Sequence, residues 1–174
     1  MTTRQQNGEI GEAIVTRKLQ ERGWTVENAN EVVQTNCPNY DLIIKKDFQI
    51  LRVQVKSKKH KSKTTLCGSW KRGERSFNKS DDFDKAEFLV MVRFMDDEDD
   101  VDCFVLPISE AERLTVWFGE EVIKLGNKPV QLQPYVSKTP RKSKFGFNNR
   151  DVWENFSEAW SLLDNNTSNK NYFP

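Results

Sequence analysis

At 174 residues, with 36% hydrophobic and 30% charged residues, the chain has the size and apolar content of one packed domain. No apolar run approaches the roughly 20 residues of a membrane helix, and Met1 to Gln6 lacks a signal-peptide core, so a soluble cytoplasmic protein is expected. A single histidine, His60, excludes Ser-His-Asp hydrolases, zincins and His-metal nucleases, while Cys37, Cys67 and Cys103 fit reduced thiols better than a disulfide framework or thiolate zinc site.

Asn7 is placed to cap a helix running to about Arg22, with Ile10, Ala13, Ile14 and Leu19 as an imperfect apolar stripe and Gly23 as its stop. Trp24 to Val26 reads as a short strand, followed by a polar connection through Cys37-Pro38-Asn39. Tyr40 to Lys45 is a strand, Lys46-Asp47 a tight turn, and Phe48 to Lys56 the returning strand. Ser57 to Lys79 contains Gly68 and Gly73 and no periodicity, which suggests a long loop, with or without a hairpin in it, and Ser80 is placed to cap one helical turn.

Glu87 to Phe94 is almost continuously apolar, as a strand buried on both faces should be. Asp96 to Asp100 is an acidic turn, and Asp102 to Leu106 the next strand, ended by Pro107. Ser109 and Glu112 have the spacing of a capping box. Val122 to Val136 is ambiguous between one and two irregular strands. Asp151 to Leu163 sets Trp153, Phe156, Trp160 and Leu163 at helical spacing, which makes these side chains core rather than a binding platform. The order of elements predicts an α/β sandwich around a mixed sheet, with one domain over residues 1–164 and a flexible tail over 165–174.

Net charge is close to zero, but the charge is segregated. Lys56 to Lys79 carries nine basic residues against Glu74 alone, Asp81 to Glu121 carries fourteen acids against three bases, and Lys138 to Arg150 adds five bases and no acid. A chain of this kind can hold a strongly positive surface beside a negative one. The basic run also contains Trp70 and Phe77, rings that can stack on bases.

Strand periodicity brings chemistry next to that run. In Leu51-Arg52-Val53-Gln54-Val55-Lys56 the apolar side chains take one face, and Arg52, Gln54 and Lys56 the other. On the preceding strand Tyr40, Leu42 and Ile44 share a face, and Asp41 shares the opposite one with Ile43 and Lys45. A hairpin through Lys46-Asp47 then sets Asp41 beside Gln54 and Lys56, and either Glu9 or Glu12 on the first helix can lean towards it. Carboxylate and amide oxygens are hard ligands suited to Mg²⁺. A neighbouring lysine can orient a water or neutralise a pentavalent phosphate, and no imidazole is required.

The sequence of Gly8-x-x-x-Glu12, Asn39-Tyr40-Asp41 and Val53-Gln54-Val55-Lys56-Ser57 resembles the PD-(D/E)XK nuclease superfamily. Within it, the pattern is similar to archaeal-type Holliday junction resolvases and to the small intron-encoded homing endonucleases that carry Gln-x-Lys. The resemblance covers about the first third of the chain. It implies a restriction-endonuclease-like α/β/α sandwich, with Glu12, Asp41 and Gln54 holding Mg²⁺ (or Mn²⁺) and Lys56 as the catalytic lysine. Two features depart from the pattern. The proline usually placed directly before the aspartate is three residues earlier, at Pro38, and Gln54 stands where an acid is commoner, which removes one negative charge from the metal site.

The function this implies is a metal-dependent endonuclease of homing, restriction or junction-resolving type. Its substrate would be double-stranded DNA, plain or branched. Lys58, Lys59, Lys61 and Lys63 are candidate phosphate contacts. Trp70, Lys71, Arg72, Arg75 and Asn78, with Arg141, Lys142 and Lys144, are candidates for reading bases. Cutting both strands with one site per chain favours a homodimer or higher homo-oligomer. Two other readings compete: a catalytically silent nucleic-acid-binding module of the same fold, and an interaction protein that uses the acidic Asp81 to Glu121 region.

Overall fold

The computed structural model describes residues 3–33, 37, 39–59, 86–95, 101–114, 117 and 153–165. It contains a five-stranded mixed sheet: β1 (Thr25–Asn28), β2 (Leu42–Lys46), β3 (Gln49–Lys59), β4 (Phe88–Phe94) and β5 (Val101–Pro107), in spatial order β1-β2-β3-β4-β5. All neighbours are antiparallel except β3 and β4, which are parallel. Helix α1 (Thr3–Gln20) packs on one face, and the short α2 (Ala29–Val32) follows β1 directly. Residues 108–114 are helical (α3), and α4 (Ser161–Asp164) lies near the end of the described chain.

Helix α1 starts one turn before Asn7. Its buried stripe is Gly11, Ile14, Val15 and Leu19, while Ile10 and Ala13, expected in the stripe, are exposed. A glycine displaces them because the helix crosses β3 very closely: a Cβ on Gly11 would lie 2.2 Å from the Ser57 Cβ. The Ser57 hydroxyl donates to the Asn7 carbonyl at 2.7 Å and ties helix to strand at this crossing. Arg17 and Lys18 complement the negative end of the helix dipole. Gly23 then adopts a φ of +81°, with Gly23 N–H on the Gln20 carbonyl and Trp24 N–H on the Leu19 carbonyl, a Schellman stop.

The hairpin β2–β3 turns through two residues, Asp47 and Phe48, with Asp47 at φ 52°, a conformation aspartate tolerates better than most residues. The alternation expected from Tyr40 onward begins only at Leu42. Leu42 and Ile44 join the core under α1, whereas Tyr40 lies in a separate cluster with Ala29 and Ala86. The reason is a bend at Asp41, so strand parity does not carry through it. Strand β3 also outruns expectation, through Lys59 instead of Lys56, because β4 pairs with it from Val53 to Lys59. β2 pairs with it only as far as Val53. Beyond that point β3 has no strand on its β2 side among the described residues.

Strand β4 is buried along its whole length, as its apolar run predicts. Phe88, Val90, Val92 and Phe94 face α1, and the alternate residues Leu89, Met91 and Arg93 turn to the opposite side, where Arg93 pairs with Asp102 across the β4–β5 ladder. The helical residues begin at 108, so Ser109 sits inside the first turn and not at a cap. The segment 153–164 is no continuous helix. It breaks at Glu158 (φ 50°) and makes a bridge between Ser157 and Phe104. Trp153, Phe156, Trp160 and Leu163 are nevertheless all buried, so they are core as expected. The stretches 60–85, 96–100 and 118–152, with the tail from 166, lie outside the described residues; they include the basic loop, the Ser80 turn, the acidic turn and the ambiguous 122–136 segment. Among the described residues no helix is long and apolar enough to cross a membrane.

The crossing at Gly11 yields a direct test. Gly11→Ala forces a clash into a packed interface and is expected to lower unfolding stability by about 1–3 kcal/mol. Gly8→Ala, with nothing within 4 Å of the added methyl, should leave stability unchanged or raise it by up to about 1 kcal/mol. Urea denaturation of the two variants measures the contrast, and equal effects would contradict this packing.

Candidate active site

The site forms where β2 leaves β3. Asp41 sits one residue before β2, and its main chain still belongs to the sheet: its N–H donates to the Val53 carbonyl at 2.9 Å, and its carbonyl accepts the Ala29 N–H at 2.9 Å. Its side chain then does what a further β2 residue would have done. The carboxylate accepts the Val55 N–H at 2.6 Å, a strand-edge donor of β3, and also accepts the Gln54 side-chain amide. Gln54 is buried at 5% exposure, and with its nitrogen turned to Asp41 its carbonyl oxygen is the end left for another partner.

Glu12 reaches this point from α1. It is half-buried and accepts the Asn28 side-chain amide at 3.4 Å. Burial, followed by the Asp41 charge, pushes its carboxyl up to about 7 from an ordinary 4.5, with Glu9 adding to the rise and Asn28 and Lys56 opposing it. Glu9 itself is exposed, so of the two acids it is Glu12 that enters the cluster. Burial also raises the Asp41 carboxyl, although the Lys56 charge, the Val55 N–H and the Gln54 amide pull it back. Burial lowers the Lys56 ammonium, and Asp41 and then Glu12 restore part of the loss. Glu12, Asp41, Gln54 and Lys56 therefore form one electrostatically coupled group.

The donor set suits a hard divalent cation. It offers two carboxylates that burial makes reluctant to ionise, Glu12 the more so for the Asp41 charge, plus an amide oxygen, and a divalent ion would relieve that reluctance. The set is lean in charge: among the described residues no group of three or more His, Cys, Asp and Glu side chains is arranged to hold a metal, and the third oxygen here belongs to Gln54. Lys58 and Lys59 continue β3 beyond Lys56 and are exposed. Lys61, Lys63, Lys71, Arg72, Arg75 and Lys142 lie outside the described residues.

Two contributors to the site, Asn28 and Gly11, were missed from sequence, and Ser57 was singled out only as part of the motif. Asn28 gave no signal, being one of many polar residues in a connection. Gly11, rather than Gly8, is the glycine that brings α1 against β3, and Ser57 is its counterpart. A small residue pairing with a strand-end serine was the available clue.

The topology, the α1 crossing and the split between β2 and β3 define a restriction-endonuclease-like α/β fold. Its likeness to the solved structure of the bacterial homing endonuclease I-Ssp6803I agrees, with a TM-score of 0.52 and 18% identity over 94% of this chain and 92% of that one. The family model for PD-(D/E)XK endonucleases matches residues 1–144, and the chain belongs to that family of nucleases. No curated protein sequence matches it.

The raised Glu12 carboxyl makes a prediction for the metal-free protein. The folded state holds a proton on Glu12 between roughly pH 4.5 and 7 that the unfolded chain has released, so this group's effect on stability becomes more unfavourable as pH rises through that window. Glu12→Gln should therefore melt higher than wild type at pH 8 in a chelator, with the difference shrinking towards pH 4.5. A difference in melting temperature that does not vary with pH would contradict it.

Proposed function

We propose that this protein is a Mg²⁺-dependent DNA endonuclease of the homing, restriction or junction-resolving type, with Mn²⁺ as an alternative metal, acting in the cytoplasm. The observation that carries the reading is the convergence of Glu12, Asp41, Gln54 and Lys56 on the stretch of β3 that runs beyond its pairing with β2. Family membership supports nuclease chemistry.

In this reading Glu12, Asp41 and the Gln54 carbonyl hold the divalent ion, which when bound supplies Lewis acidity and an acidified water. With only two charged ligands from the chain, the phosphate of the substrate completes the charge balance, so metal and DNA binding reinforce each other. The charge of Lys56 acts on both carboxylates, and the ammonium serves to orient the attacking water or to neutralise charge building on the phosphate. Asp41 keeps its position because four separate hydrogen bonds tie its main chain and side chain.

Lys58 and Lys59, at the exposed end of the same strand, suit the phosphates flanking the scissile one, and Lys61, Lys63, Lys71, Arg72, Arg75 and Lys142 are further basic residues of the sequence proposed to contact DNA. Double-stranded DNA, plain or branched, is the partner these charges fit. A homodimer or higher homo-oligomer supplies the second site that a double-strand break needs.

The test is incubation of supercoiled plasmid and a synthetic four-way junction with and without Mg²⁺. Wild type should nick or cut only with the metal. Asp41→Ala and Lys56→Ala should each lose at least about 100-fold in rate, and Lys56→Ala, which keeps the proposed metal ligands, should still retain DNA in Ca²⁺. Equal cleavage by wild type and variants would overturn the assignment. DNA retention without cleavage by wild type would favour the silent binding module.

A further inference from the structure

The junction between β1 and α2 touches both acidic residues, Glu12 at its carboxylate and Asp41 at its main-chain carbonyl. Asn28 is the last residue of β1 and the cap of α2, and Ala29 is the first residue of that helix. The Ala29 N–H donates to the Asp41 carbonyl at 2.9 Å, and Ala29 is fully buried against Tyr40 and Ala86, so it cannot shift without disturbing the core. The Asn28 side-chain oxygen accepts the Asn30 N–H at 2.9 Å as the helix cap. That bond fixes which end of the amide is which. The nitrogen is left to face Glu12, and it donates to the Glu12 carboxylate at 3.4 Å.

We propose that Asn28 is a positioning residue for the metal site: its cap bond locks the amide so that its N–H holds the Glu12 carboxylate at the spacing Asp41 requires. One dipeptide, Asn28-Ala29, thus brackets the two acids, the first through a side chain and the second through the main chain. The chemistry explains why asparagine suits the place. Serine, threonine and aspartate cap a helix comparably, but none offers a donor at this reach. The inference rests on the reading that Glu12 and Asp41 bind a divalent ion.

The test compares Mn²⁺ binding by calorimetry, on wild type, Asn28→Ser, Glu12→Ala and the double variant, at a temperature below all four melting points. Serine keeps the cap, so Asn28→Ser should melt within a few degrees of wild type and bind Mn²⁺ roughly tenfold more weakly. In the Glu12→Ala background the same substitution should have no further effect on Mn²⁺ affinity. Wild-type affinity in Asn28→Ser, or an equal loss in both backgrounds, would overturn the proposal while leaving the metal reading intact. The second result would mark a purely structural role. No Mn²⁺ binding by wild type would remove both. Asn28→Thr, a second cap-competent residue without the amide, should behave as Asn28→Ser does, and wild-type affinity there would also contradict the proposal.

Discussion

The bond from the Val55 N–H to the Asp41 carboxylate is the constraint on which the site depends. A strand that continues after its neighbour has turned away exposes main-chain donors, and a buried donor without a partner is costly. Asp41 meets that need with a side chain instead of a backbone carbonyl. The substitution puts a negative charge at the place where the sheet opens, and gives it a neighbour in Gln54. The same bond that completes the ladder thereby creates the anionic floor of the proposed metal site. Structure and chemistry share one hydrogen bond, so neither can be altered alone.

Glu12 and Lys56 complete the group by different routes. Glu12 arrives because α1 can approach β3 at Gly11, where no Cβ keeps the backbones apart. Lys56 arrives by strand alternation, two residues after Gln54 on the same face. The result is a cluster in which burial works against every charge: both carboxyls are raised and the ammonium is lowered. Such a site is poised to gain from a divalent ion and a phosphate. The neutral Gln54 keeps one more like charge out of an already strained pair of acids. It also makes the site lean more heavily on its ligands for charge balance.

Much of this was legible in the residues. The run Leu51 to Lys56 announces its two faces by simple alternation, the apolar stretch at Phe88 to Phe94 announces a central strand, and the order of glutamate, aspartate and Gln-x-Lys carries the family resemblance. What was not legible depends on contacts distant in sequence. The bend at Asp41 moves Tyr40 off the face that alternation assigns it, and it arises from bonds to Ala29, Val53 and Val55. The true stripe of α1 is set by a glycine, which hydrophobic periodicity cannot register. The segment around Trp153 and Trp160 has the spacing of a helix but is bent by a residue at positive φ, and its rings reach the core by another path. Asn28 is silent in sequence because its value comes from a cap and a helix meeting in space.

The central claim is that Glu12, Asp41 and Gln54 share one divalent ion beside Lys56. Anomalous diffraction from crystals soaked in Mn²⁺ addresses it most directly. A single strong peak within coordination distance of the Glu12 and Asp41 carboxylates and the Gln54 carbonyl is the predicted result. Peaks confined to other acidic surfaces, with these side chains unchanged and without metal, would contradict it.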